Sequence, residues 1–228
     1  GLNSGWQWYV KGISIPVLTH KVYPFFGTYF PTRFEHLTIF DNWLKDFKGN
    51  KANAIDIGVG SGVLSFQMLK HGFKKIIGTD VNPNAIIGLN SDNKNLDLIS
   101  KIELRHGDLF ADSNEQTDLI VFNPPWIPAD HNLEGIDKAI YYDSELFPNF
   151  FEEAQKHLKP NGRVVLLFSN LAEVTSITSV NPIEGELLNG GRFEKDVLIE
   201  SHVKTASKHT RRNQNWRGEE KVQLWVLK

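Results

Sequence analysis

The feature that most constrains the fold is an alternation of element types that begins at Ala52. A short strand-like run, Ala52 to Ile57, meets a glycine-rich turn and then a helical stretch, Val63 to His71, with Gly72 as its stop signal. The pattern repeats: Lys74 to Thr79 reads as a strand and Pro83 to Asn93 as a helix, its proline in the first turn where a missing N–H is harmless. Lys101 to Arg105 and Asp118 to Phe122 read as further strands. Phe147, Phe150, Phe151, Ala154 and Leu158 make another helical stripe, closed by Lys159-Pro160-Asn161-Gly162. Arg163 to Phe168 is then a continuous apolar strand, the kind that suits a sheet covered on both faces. Val197 to Val203 and Lys221 to Leu227 finish the chain as two β-like segments, which predicts an antiparallel pair at the sheet edge. The sum is an α/β fold, a doubly wound, mostly parallel sheet whose ligand should sit at the carboxyl ends of the strands.

Upstream of the alternation, residues 1–32 are rich in Trp, Tyr, Phe, Gly and Pro without a helical period, which suggests an arm of short strands and turns. From Arg33 to Phe47, apolar Leu37, Phe40, Leu44 and Phe47 recur at steps of three and four, giving a helix that Gly49-Asn50 ends. The expected division is therefore an arm and helix at 1–49, packed on a core domain at 50–228. A chain of 228 residues, 40% hydrophobic and 23% charged, suits one globular core. No stretch approaches the roughly 20 apolar residues needed to cross a bilayer, so no membrane partner is expected. There is no Cys, which excludes disulfides and thiolate metal sites and fits a reducing, cytoplasmic setting. A net charge of −2 gives no overall attraction to phosphate backbones, so a nucleic-acid role would need a local basic patch. The eight histidines are scattered; His20, His131 and His157 read as surface or packing residues, and no metal is expected.

The segment Asp56-Ile57-Gly58-Val59-Gly60-Ser61-Gly62 ends a strand and opens a helix, where a ligand can approach main-chain N–H groups without interference from a Cβ. A dinucleotide fingerprint would place Gly or Ala three residues after Gly60, and this chain has the larger Val63. Asp80 ends the second strand, where a carboxylate can accept from both hydroxyls of a ribose, and Asp108 follows the third in Gly107-Asp108-Leu109-Phe110. With Asp56, these would set three carboxylates along one rim. Such a rim repels a pyrophosphate and suits a cofactor carrying a sulfonium and an amino group, which favours S-adenosylmethionine over NAD.

Asn123-Pro124-Pro125-Trp126 follows the strand Leu119 to Phe122 and so projects into the same crevice. Neither Pro has an N–H, which leaves the Pro124 carbonyl and the Asn123 side-chain oxygen to accept two hydrogen bonds from one incoming NH₂ group. Holding both hydrogens orients the delocalised lone pair of an amide or aromatic amine toward a methyl carbon, and carbonyl dipoles stabilise the positive charge that develops on nitrogen. Trp126 can stack on a planar acceptor. An ordinary sharp loop would explain the two prolines but not the Asn and Trp around them.

The acid followed by Gly-x-Gly-x-Gly at Asp56 to Gly62 resembles class I S-adenosylmethionine-dependent methyltransferases over about residues 50 to 170, and Asn123 to Trp126 resembles the Asn/Asp-Pro-Pro-aromatic signature of the amino methyltransferases among them. The resemblance implies a Rossmann-like seven-stranded sheet with an antiparallel edge hairpin. By it, Gly58 and Gly60 would line the methionine part of the cofactor, Asp80 would hold the ribose, and Asp108 would meet the adenine amino group with Leu109 beside the ring. Asp56, Gly62, Val81 and Asn123 complete the implied cofactor set, and Asn123, Pro124 and Trp126 the catalytic one. The small layout looks like the glutamine methyltransferases that modify translation release factors, with Pro31-Thr32-Arg33 standing roughly where they carry a Pro-Arg segment; the partner would then be a release factor or a ribosomal protein. The alternative is N-methylation of an adenine or guanine amino group in RNA, for which Lys204, Lys208, His209, Arg211, Arg212, Trp216 and Arg217 would be the footprint.

Overall fold

The computed structural model describes residues 2–30, 34–129, 139–203 and 218–228. Pro31 to Arg33, His131 and the basic stretch 204–217 lie outside them. The first element corrects the expectation for the arm: α1 (Leu2–Lys11) is a helix. Leu2, Trp6, Tyr9 and Val10 recur at helical spacing, a period the expectation of strands and turns passed over; Trp8, on another side, packs on the core while Trp6, Tyr9 and Val10 are exposed. The expected short strands follow as β1 (Ile13–Ser14) and β2 (Lys21–Val22), an antiparallel pair that buries Ile15 and Val22. Helix α2 (Glu35–Asp46) turns His36, Leu37, Ile39, Phe40 and Leu44 inward.

The alternation then unfolds as read. Strand β3 (Asn53–Ile57) leads to α3 (Val63–Lys70), and β4 (Lys75–Asp80) to α4 (Pro83–Asn90), which Asn82 caps by accepting from the N–H of Asn84 at 3.0 Å. A single turn, α5 (Leu96–Ile99), precedes β5 (Ile102–His106); β6 (Thr117–Phe122) follows. Two-residue strands β7 (Ile127–Pro128) and β8 (Tyr141–Tyr142) pair in parallel ahead of α6 (Leu146–His157). Strand β9 (Leu158–Ser169) starts where α6 stops, so Lys159 to Gly162 form no separate loop; they lie where the pairing with β6 shifts register between Thr117 and Leu119. Short helices α7 (Leu171–Val174) and α8 (Pro182–Gly185), the latter running into a π-helical turn at Glu186–Gly190, lead to β10 (Lys195–His202) and β11 (Lys221–Leu227).

Seven strands form the main sheet in the order β10-β11-β9-β6-β3-β4-β5. Those from β9 to β5 are parallel, and β11 runs antiparallel to both β9 and β10. Strand periodicity divides the core between the two faces. Ala54, Leu119, Val121, Val165 and Leu224 pack with α2 and α3, whereas Ile55, Ile120, Phe122, Val164 and Leu166 pack with α6. Phe147, Phe150 and Phe151 hold α6 against the sheet, and each such burial stabilises by about 1.5–3 kcal/mol, above the propensity differences of under about 1 kcal/mol between ordinary residues. Packing therefore fixes that helix. No helix among the described residues is long and apolar enough to cross a membrane.

Candidate active site

The order of strands reverses between β3 and β6, which is the switch point where a doubly wound sheet opens a crevice at its carboxyl edge. The register sets Ile57 beside Phe122, so the glycine-rich turn and the Asn-Pro-Pro-Trp segment leave the sheet side by side. Between them lies a cavity of about 790 Å³, within the range of small-molecule and cofactor sites. Gly58, Gly60, Asp80, Val81, Asp108, Leu109, Asn123, Pro124 and Trp126 all line it.

The turn is built on positive backbone angles, with φ of 66° at Gly58, 52° at Gly60 and 80° at Gly62. The Asp80 carboxylate pins it in place: Oδ2 accepts the Gly60 N–H and Oδ1 the Asn82 N–H, both at 2.8 Å. Each oxygen keeps a lone pair for a further donor. Burial raises the Asp80 pKa, and the two N–H donors and the nearby His106 act against the rise. Asp108 is exposed at the rim, accepting the Leu109 N–H at 3.0 Å, and the Thr79 hydroxyl donates to the Leu109 carbonyl.

Asp56 and Gly62 stand elsewhere. Asp56 is fully buried under the turn, where its Oδ2 accepts from Ser65 Oγ at 2.6 Å, so two acids of the expected three reach the rim. The reason is strand parity: Ile57 faces the cavity and its neighbour does not. Gly62 caps α3, and a Cβ there would stand 2.9 Å from Leu89 Cδ2, so the residue serves packing against α4.

In the second loop, the Asn123 side-chain oxygen is buried with no hydrogen-bond partner among the described residues. Trp126 is half-buried; its indole N–H donates to the Leu167 carbonyl of β9 at 3.2 Å, which fixes the ring plane and commits its one donor. The His36 ring meets the Trp126 ring edge-on, with centroids 5.7 Å apart and planes at 90°. His36 lines the cavity at 1% exposure, neither ring nitrogen has a hydrogen-bond partner among the described residues, and burial pulls its pKa down to about 4 against a smaller upward pull from Glu35.

The sequence reading missed His36, although 36, 40 and 44 share the inward face of α2 and a histidine on an apolar stripe was the available signal. It also missed Thr28 and Tyr29, which carry the arm to the cavity wall without any local motif.

Among the described residues the cavity is lined by five carboxylates, Asp80, Asp108, Asp143, Glu145 and Glu220, and by no Lys or Arg. That wall repels a pyrophosphate and suits a positively charged nucleoside, while the pinned turn keeps Cβ atoms clear of its approach. The donor set thus fits S-adenosylmethionine. Among the described residues no group of three or more His, Asp or Glu is placed to hold a metal ion.

A seven-stranded sheet of this order, with one strand antiparallel inside the edge and a glycine-rich turn at the switch point, defines the Rossmann-like methyltransferase class. The chain belongs to the methyltransferase small domain family, whose sequence model matches residues 41–181. It is 33% identical over 139 residues to a Methanocaldococcus jannaschii protein provisionally named a protein N5-glutamine methyltransferase, a match covering 58% of this chain and 69% of that one. It is 30% identical over 131 residues to the release factor glutamine methyltransferase of Cereibacter sphaeroides, a match covering 50% of this chain and 46% of the relative, so it spans under half of that protein's length. The solved ribosomal protein L11 methylase of Lactobacillus delbrueckii subsp. bulgaricus shares the fold, with a TM-score of 0.51 at 20% identity over 83% of this chain and 76% of the other.

Proposed function

We propose that this chain methylates a planar nitrogen, the side-chain amide of a glutamine in a translation-related protein such as a release factor or ribosomal protein, with S-adenosylmethionine as donor and the cytoplasm as its setting. Residues 50–228 form the transferase domain and residues 1–49 its cover. The observation that carries the reading is the Asn123 side-chain oxygen: an acceptor buried without a partner among the described residues, on the wall of a carboxylate-lined cavity. A buried acceptor of this kind is destabilising unless a donor arrives, and the NH₂ of a carboxamide supplies one.

When bound, S-adenosylmethionine would supply a methyl group on a positively charged sulfur. Asp80 would hold its ribose, Gly58 and Gly60 would admit its methionine part, and Asp108 and Leu109 would border its adenine. Asn123 Oδ1 and the Pro124 carbonyl would take one hydrogen each from the acceptor nitrogen, turning its lone pair toward the methyl carbon and stabilising the charge that develops as it attacks. One of those two hydrogens leaves as the proton. Trp126, fixed by Leu167, sets the plane of the acceptor.

Calorimetry on the purified protein tests the cofactor directly. Binding of S-adenosylmethionine is expected for the unmodified chain, and Asp80→Ala should weaken it by about tenfold to a hundredfold, as for loss of hydrogen bonds to a charged group. Asn123→Ala should bind nearly as well yet transfer methyl about a hundredfold more slowly or worse. No binding by the unmodified protein would sink the reading. Labelled cofactor with cell extract then sorts the acceptor: label lost to protease and kept under ribonuclease marks a protein, and the reverse marks an RNA adenine or guanine.

A further inference from the structure

A carboxamide held by its NH₂ group at Asn123 and Pro124 brings its oxygen into the same cavity. Once desolvated, that oxygen needs a donor. The Asn-Pro-Pro-Trp segment offers little: Pro124 and Pro125 have no N–H, the Trp126 indole N–H is given to Leu167, and the Ile127 N–H points to the Ile140 carbonyl. His36 stands against Trp126 with both ring nitrogens buried and without hydrogen-bond partners among the described residues, on a helix packed on the sheet through Leu37, Phe40 and Leu44.

We propose that His36 is the specificity residue of this site, donating a ring N–H to the oxygen of the acceptor carboxamide while Asn123 and Pro124 hold its NH₂ group. The inference rests on the reading of the chain as an amide methyltransferase. A neutral imidazole carries one donor and one acceptor nitrogen, and burial keeps His36 neutral at ordinary pH. The arrangement distinguishes acceptors by what flanks the NH₂ group. A carboxamide presents an acceptor oxygen there, as adenine presents its ring N1, and an amine with no acceptor beside it would leave the buried N–H unpaired.

The test compares the unmodified protein with His36→Leu and His36→Asn, using a glutamine-containing peptide and an adenine-containing oligoribonucleotide as probes and calorimetry to follow S-adenosylmethionine. His36→Leu, which keeps an apolar fit on the α2 stripe, should bind the cofactor nearly as well while KM for the peptide rises about tenfold or more and kcat changes less. His36→Asn, which restores an N–H donor, should recover part of that KM. Unchanged peptide KM in His36→Leu, or loss in both variants with no recovery in His36→Asn despite intact cofactor binding, overturns the assignment of His36 alone. Transfer by the unmodified protein to the oligoribonucleotide and not to the peptide overturns the amide reading, and this assignment with it.

Discussion

Asp56 and His36 are both buried titratable side chains, and their effects on stability run in opposite directions with pH. Burial raises Asp56 from an ordinary 3.8 to about 7, with Ser65 opposing the rise through its hydroxyl and backbone N–H. The folded chain therefore keeps a proton that the unfolded chain has lost between those values, so this group's contribution is fully present below the lower value and is lost as pH rises through the upper. His36 is lowered from 6.5 to about 4, so its contribution is present above 6.5 and is lost as pH falls toward 4. Urea unfolding at stepped pH should show Asp56→Asn without its share of the decline toward pH 7, and His36→Gln without its share of the decline in acid; every tenfold difference in proton affinity between the folded and unfolded chain corresponds to roughly 1.4 kcal/mol. A variant whose pH profile matches the parent would refute the corresponding argument. The acid of Asp56 was legible in the sequence as part of a glycine-rich turn. Its place on the rim was the wrong expectation, since strand parity turns it away from the cavity that Ile57 faces, and its partner Ser65 was not legible either, because which residue of α3 crosses above it depends on how the helix docks.

At the scale of elements, the arm is clamped across the site by a close contact with α4. A Cβ at Gly88 would lie 2.4 Å from Phe25 Cβ, and the Asn82 side-chain amide donates to the Gly27 carbonyl at 2.9 Å. Gly88→Val should lift the arm, lowering stability by about 1–3 kcal/mol and speeding limited proteolysis within residues 23–29. Cofactor affinity should fall as well, since Thr28 and Tyr29 line the cavity. Gly185→Ala is the control: nothing among the described residues lies within 4 Å of its Cβ position, so a gain of about 0.4–1 kcal/mol is expected. Proteolysis unchanged in Gly88→Val would show that the arm is held by other contacts. The helices α2, α3, α4 and α6 could be read from spacing, stop signals and a first-turn proline. Helix α1 also carries a stripe, Leu2, Trp6, Tyr9 and Val10 at helical spacing, but the Gly, Pro and aromatic content of the arm led to an expectation of strands and turns.

At the scale of the molecule, the terminal hairpin closes the sheet from the inside. The expected antiparallel pair forms, but its two members differ: β11 is buried along nearly its whole length between β9 and β10, while β10 keeps an exposed, polar edge. Trp225 on β11 is 1% exposed and packs with Phe168 and Leu166 in one core cluster, so Trp225→Ala should destabilise by about 3–5 kcal/mol in calorimetric unfolding. A change under about 1 kcal/mol would mean that the hairpin is peripheral to the core. The sequence by itself determined the alternation of strand and helix, the turn at Asp56 to Gly62 and the stiff Asn123 to Trp126 segment, because these rest on local periods, backbone angles and missing N–H groups. Only the tertiary structure decided that β3 lies beside β6, that Asp56 is sealed under the turn and that His36 reaches the cavity from a helix outside both motifs. Those depend on which strands a crossover makes neighbours and which faces then pack, and such long-range choices leave no trace in the spacing of residues along the chain.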